Sequence, residues 1–97
     1  MTGRYVVSDK AAADLARIWD RYLERGGSEQ SADRLIDELL RIFQNLADFP
    51  DIGTRRNYLP EAALALPHKS YIVHYEKREH EVEIVQVLYG RMDLGPR

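Results

Sequence analysis

The chain contains no cysteine. Disulfides and thiolate metal sites are excluded, and the composition suits a reducing, cytoplasmic setting. No long apolar run is present either. The longest, Ala62 to Leu66, falls far short of the ~20 residues that span a bilayer. The N-terminus has no basic segment leading into an apolar stretch, so no signal peptide is expected. Positive charge is not in excess: the formal net charge is -2. Proteins that bind nucleic acid through its phosphates usually carry surplus Lys and Arg. No direct DNA binding is therefore expected. There is no nucleophile elbow, glycine-rich phosphate loop or His-Glu-x-x-His pattern, and no histidine pair at ligand spacing. A metal site and a cofactor are not expected.

What remains is a chain of 97 residues, 44% hydrophobic and 31% charged, the balance of a globular protein. One domain over residues 1–97 is the natural expectation. Arginine outnumbers lysine eleven to three. Guanidinium groups favour bidentate contacts with carboxylates and phosphates. Arg55 with Arg56, and Arg91 with Arg97, are possible small basic spots.

Arg4 to Val7 is β-branched and aromatic and predicts a short strand. Ser8 is placed to cap a helix, with Asp9 in its first turn. Leu15, Ile18, Trp19 and Tyr22 recur at helical spacing, and Gly26-Gly27 predicts the stop. Ser28 or Ser31 caps a second helix, whose apolar face runs from Ala32 through Leu35, Leu39 and Phe43 to Leu46. Pro50 ends it. Beyond Pro50, Leu64 to Leu66 predicts a short strand ended by Pro67, and Tyr71 to Glu76 a firmer one. Lys77 to His80 predicts a polar turn, and Val82 to Tyr89 the most apolar strand. Residues 90–97 predict an irregular tail. The class is α+β: an N-terminal strand and an antiparallel helical hairpin packed on a small antiparallel sheet.

Candidate chemistry is sparse. A metal-independent ribonuclease must activate a 2′-hydroxyl, stabilise phosphorane charge and protonate the leaving oxygen. Tyr89, Arg91, Arg78 and His74 are the residue types for that work, if the fold gathers them. The many carboxylates fall mainly at solvent-facing helix positions. Protein binding is better supported. The last two strands carry apolar residues on both faces, whereas two helices cover one face at most. Some apolar surface is expected to be open to a partner.

The ordered set of signals resembles the ParE branch of the RelE/ParE toxin superfamily over about residues 4 to 94. The matching pieces are Leu15, Ile18 and Tyr22, then Leu46, Pro50, Gly53 and Arg55. Next come Tyr71 and Tyr75, then Val85, Val87, Leu88, Gly90, Arg91 and Asp93. The resemblance implies the toxin of a type II toxin–antitoxin pair, silenced by a cognate ParD-like antitoxin in a toxin–antitoxin hetero-oligomer. It further implies growth arrest by inhibition of DNA gyrase through Arg91, Met92, Asp93 and Leu94. In that case the chain is an inhibitor, not an enzyme. RelE-type relatives instead cut messenger RNA on the ribosome. The chain departs from the pattern twice. No arginine occurs from Ala62 to Ser70, and Tyr89 stands where many members carry histidine. An inactive, antitoxin-binding member is the third alternative. Trp19, Tyr22, Tyr71, Tyr75 and Val85 are expected to divide between core and antitoxin surface.

Overall fold

The computed structural model describes residues 3–89. The target-binding candidates Arg91, Met92, Asp93 and Leu94, and the tail as a whole, lie outside them. The order is β1 (Tyr5–Val7), α1 (Asp9–Glu24), α2 (Glu29–Asp48), β2 (Ala63–His68), β3 (Tyr71–Lys77) and β4 (Val82–Tyr89). The expected α+β class, with its N-terminal strand and helical hairpin, is what the chain forms.

Local chemistry sets the boundaries. The Ser8 hydroxyl accepts the Ala11 N–H at 3.0 Å and donates to the Val85 carbonyl at 2.8 Å. One side chain thus caps α1 and ties its start to the sheet. Gly26, with φ 95, closes α1 in the left-handed conformation that costs glycine least. Ser28 caps α2 by accepting from the Ser31 N–H at 3.0 Å. Asp48, the last residue of α2, accepts the Gly3 N–H at 2.8 Å and fixes the chain entry to β1.

The sheet has the order β1-β4-β3-β2. β2, β3 and β4 form an antiparallel meander, but β1 joins β4 in parallel. The sheet is therefore mixed and not wholly antiparallel. A parallel neighbour needs a long crossover, which the intervening chain supplies. Pro67 does not end β2; it pairs with Ile72 inside it. β2 is an edge strand, where a missing N–H disrupts no ladder.

β4 holds the one departure from strict alternation. Tyr75 pairs with Ile84 and His74 with Gln86, so Val85 is an extra, bulged residue. The bulge shifts the inward set by one: Val82, Ile84 and Val87 are buried. This resolves the apparent two-faced pattern of the strand. The core joins Ala11, Phe43, Leu46, Val73, Tyr75, Val82, Ile84 and Val87, with the Tyr5 ring edge-on to Phe43 at 5.7 Å. The far face is not the open apolar surface that the sequence suggests. Ala65, Ile72 and His74 are buried there, and the Tyr58 ring lies 5.9 Å from His74.

Candidate functional site

The second half of α1 runs beside β4 beyond the point where β1 ends at Val7. Between them lies a cleft of about 150 Å³. Arg17, Ile18 and Arg21 of α1 form one wall. Val87, Leu88 and Tyr89 of β4, with Tyr71 of β3, form the floor and the other wall. Tyr71 and Tyr89 also line a wider, shallower hollow of about 530 Å³. That hollow extends to Tyr22, Arg25, the Gly26-Gly27 turn, Leu35 and Lys69. The shared tyrosines make the two depressions one groove. Their rings meet edge to face, with centroids 5.8 Å apart.

Asp14 also lines the cleft. It is 3% exposed on a helix whose other charges face water. Its carboxylate accepts the Val87 N–H at 2.9 Å, Lys10 Nζ at 2.7 Å and Arg17 at 3.0 Å. A buried carboxylate needs this kind of compensation. Carboxylates are expected mainly at solvent-facing helix positions; Asp14 is the buried exception among the described residues. Helical spacing carried a signal: Asp14 lies four residues before Ile18, within the apolar stripe.

The rim is cationic. Arg17, Arg21 and Arg25 follow one another at four-residue steps along α1. Among the described residues, Arg21 and Arg25 have no carboxylate within salt-bridge distance, whereas Arg17 has Asp14. Lys69, at the far end, pairs with Glu38 at 2.8 Å. Glu38 also meets His68 Nε2 at 2.7 Å. The Glu38 carboxyl is held below its ordinary pKa, first by the Lys69 hydrogen bond and then by His68. The Tyr71 phenol is pushed above its ordinary value, chiefly by burial and then by Tyr89, against the opposing pull of Arg25 and Arg21.

The sequence candidates scatter. Tyr22, 36% exposed, and Tyr71 belong to the groove. Tyr75 is fully buried; its hydroxyl donates to the Pro50 carbonyl at 2.7 Å and accepts the Gly53 N–H at 2.9 Å. Trp19 sits in the seam between the helices and donates to Asp33 at 3.0 Å. Val85 is the bulge residue, half-buried. Of the ribonuclease set, Tyr89 lies in the groove, but Arg78 lies past the opposite end of β4. The separation is roughly 20 Å or more, at about 3.3 Å per strand residue. Arg78 is also held by Glu76, at 2.7 Å, and by Glu83. His74 is on the other sheet face, with Nδ1 2.7 Å from Gln86. Arg91 lies outside the described residues. Among the described residues, the basic side chains that line the cleft with Tyr89 are Arg17 and Arg21 of α1, which strand-based reasoning missed.

No group of His, Cys, Asp or Glu among the described residues is arranged to hold a metal ion, and none of their helices is long and apolar enough to cross a membrane.

Fold and groove together define a small α+β domain with an apolar cleft under a cationic helix rim. The same architecture is found in a chain of the chromosomal ParDE toxin–antitoxin system from P. aeruginosa. The match has a TM-score of 0.75 at 20% identity and covers 88% of this chain and 92% of that one. The sequence goes further than the fold. Residues 5–94 match the family model for the ParE toxin of the type II toxin–antitoxin system parDE. Toxin ParE1 of Mycobacterium tuberculosis is 32% identical over 95 residues, covering 97% of this chain and 96% of that protein. Toxin ParE3 of Caulobacter vibrioides is 27% identical over 93 residues. The chain belongs to the ParE toxin family of type II toxin–antitoxin systems.

Proposed function

We propose that the chain is the toxin of a type II pair, that a cognate ParD-like antitoxin silences it in a hetero-oligomer, and that it arrests growth in the cytoplasm by inhibiting DNA gyrase. The observation that carries the antitoxin half is the groove. Tyr22, Tyr71 and Tyr89 line it together, and a tyrosine ring joins apolar surface to a polar hydroxyl, the mixed character that suits a protein interface. Tyr75 serves the core in this reading. Trp19 and Val85 are flanking candidates for antitoxin contact.

Family membership supports gyrase as target. So does the dispersal of the sequence candidates: His74 lies on the other sheet face from Tyr89, and Arg78 lies past the opposite end of β4. Arg91, Met92, Asp93 and Leu94 are the proposed target contacts. In a supercoiling assay the purified chain should inhibit gyrase, and added antitoxin should restore activity. No inhibition at large molar excess refutes the gyrase reading.

One observation favours the messenger-RNA alternative: Tyr89 shares its cleft with Arg17 and Arg21. Tyr89→Phe removes only the hydroxyl. Loss of toxicity in that variant, with messenger cleavage by the parent, would establish the ribonuclease.

A further inference from the structure

We propose that the turn between β2 and β3 is a strained turn latched by α2. The Glu38 carboxylate, bound to Lys69 and His68, holds Lys69 in a left-handed backbone that closes the turn. Without the Glu38 charge the turn opens and Tyr71 loosens. The device is internal to the chain and does not depend on the antitoxin or the gyrase reading.

The strain follows from the length of the loop. His68 pairs with Tyr71, so the loop is the two residues Lys69 and Ser70. A two-residue hairpin loop matches the twist of its strands with a left-handed residue at its first position, or at both. Lys69 supplies it, with φ 55, and no other non-glycine among the described residues has a positive φ. A single left-handed residue at the first position is the pattern in which glycine dominates. A residue with a Cβ holds that backbone less readily. After α1 the chain places Gly26 at its left-handed position, but here it places lysine. Local preference and geometry conflict at Lys69, and such a conflict calls for a compensating contact.

Glu38 supplies that contact. Lys69 Nζ lies 2.8 Å from Glu38 Oε2, and His68 Nε2 lies 2.7 Å from the same oxygen. One carboxylate of α2 thus takes two consecutive residues of the sheet's end. Among the described residues no other cation lies within salt-bridge distance of it. Both neighbours favour the charged form of Glu38, the Lys69 bond first. A glycine in place of Lys69 would relax the backbone but has no ammonium to offer α2. The latch bears on the cleft through Tyr71, the residue that follows the loop. The Tyr71 ring meets Tyr89 at 5.8 Å and lines both depressions. A wider turn unpairs His68 from Tyr71 and frees the start of β3.

The test measures urea unfolding of the intact chain as the parent, K69G, K69A, E38Q, E38Q/K69G and E38Q/K69A. In E38Q, relief of the backbone offsets loss of the ion pair, so the cycle carries the answer and not that single variant. In the parent background K69G loses the pair as it relaxes the backbone, and the folding constant should stay level or fall. In the E38Q background no pair is left to lose, and K69G should raise the constant about threefold or more. E38Q/K69A keeps a Cβ and should show no such rise. By NMR, the strong amide–Hα contact within Lys69 that marks a left-handed residue should be present in the parent and weaken in E38Q. Cross-peaks between the Tyr71 and Tyr89 rings should weaken with it. An equal rise with K69G in both backgrounds means that strand pairing alone holds the strain, and it overturns the latch. No rise in either background means that there is no strain to hold, which also overturns it. A rise with K69A as large as with K69G traces the gain to the lost charge and not to the backbone, again against the latch. An unchanged Lys69 contact in E38Q overturns the opening of the turn. If E38Q does not fold, Glu38→Asp, which draws the carboxylate back by one methylene, replaces it in every comparison.

Discussion

Asp14 accepts the backbone N–H of Val87 at 2.9 Å, across 73 positions of sequence. The bond lies in the lining of the groove and occupies the sheet edge where β1 runs out. α1 is thereby held to β4 by a polar contact within an apolar layer. That stretch of the β4 edge presents the Asp14 side chain and not a free backbone amide.

Asp14→Ala should destabilise the fold by about 2–3 kcal/mol, since a buried amide loses a charged acceptor. Asp14→Asn keeps an acceptor for Val87 and should cost roughly half as much. Urea unfolding of both variants checks this. Equal losses would mean that the pairs with Lys10 and Arg17 matter more than the Val87 bond. Amide exchange at Val87 should accelerate most in Asp14→Ala.

Tyr75→Phe should cost about 1–3 kcal/mol, because the hydroxyl bridges the Pro50 carbonyl and the Gly53 N–H. Gly53→Ala attacks the same bridge from the other side. A Cβ there would meet the Tyr75 hydroxyl at 2.5 Å. If the bridge is the shared cause, the double variant should lose less than the sum of the two single losses, as contacting residues do in a double-mutant cycle. Simple additivity would refute that coupling.

Alkaline pH should unfold the chain in a tyrosine-dependent way. Burial raises the phenol pKa of both Tyr75 and Tyr71. The fold therefore favours their neutral forms. This stabilisation is complete below the ordinary tyrosine value of about 10 and is lost as pH rises through the raised folded values. The urea midpoint should hold up to about pH 10 and fall above it, and Tyr75→Phe should flatten that fall. An unchanged slope in the variant would remove Tyr75 from the account.

Acid should act at Glu38. Its pKa is lowered by Lys69 and His68, so the stabilisation is present above the ordinary carboxyl value and is lost as pH falls through the folded one. Glu38→Gln should flatten the acid limb of the stability curve with little effect at neutral pH. A parent-like acid limb in Glu38→Gln would contradict this.

Gly27→Ala should disturb the groove more than the fold. A Cβ at Gly27 would lie 2.2 Å from the Tyr22 ring, so the ring must swing away. Antitoxin affinity should drop while the melting temperature changes modestly. Unaltered affinity would take Tyr22 out of the interface.

The sequence by itself settled most features whose cause is local, Pro67 within β2 being an exception. Ser8 and Gly26 mark helix boundaries through caps and φ preferences, and the spacing of Leu39, Phe43 and Leu46 fixes the buried face of α2; the choice of Ser28 over Ser31 as the second cap needed the structure. The ordered motif from Leu15 to Asp93 carried the family, because such a pattern needs no coordinates to be read. What required tertiary structure was anything that depends on which distant groups meet. Parallel pairing of β1 with β4 is a matter of topology, which periodicity does not encode. The bulge at Val85 follows from a register that only the pairing with His74 and Tyr75 reveals. The groove depended most on the fold. Alternation places Tyr71 and Tyr75 on one face and gives them equal standing. The Pro50–Gly53 turn closes over the Tyr75 hydroxyl, while α1 stands off Tyr71 and leaves a cleft rimmed by Arg21 and Arg25. Burial by the chain's own segments and burial awaiting a partner leave the same apolar pattern in a sequence, and only the packed molecule separates them.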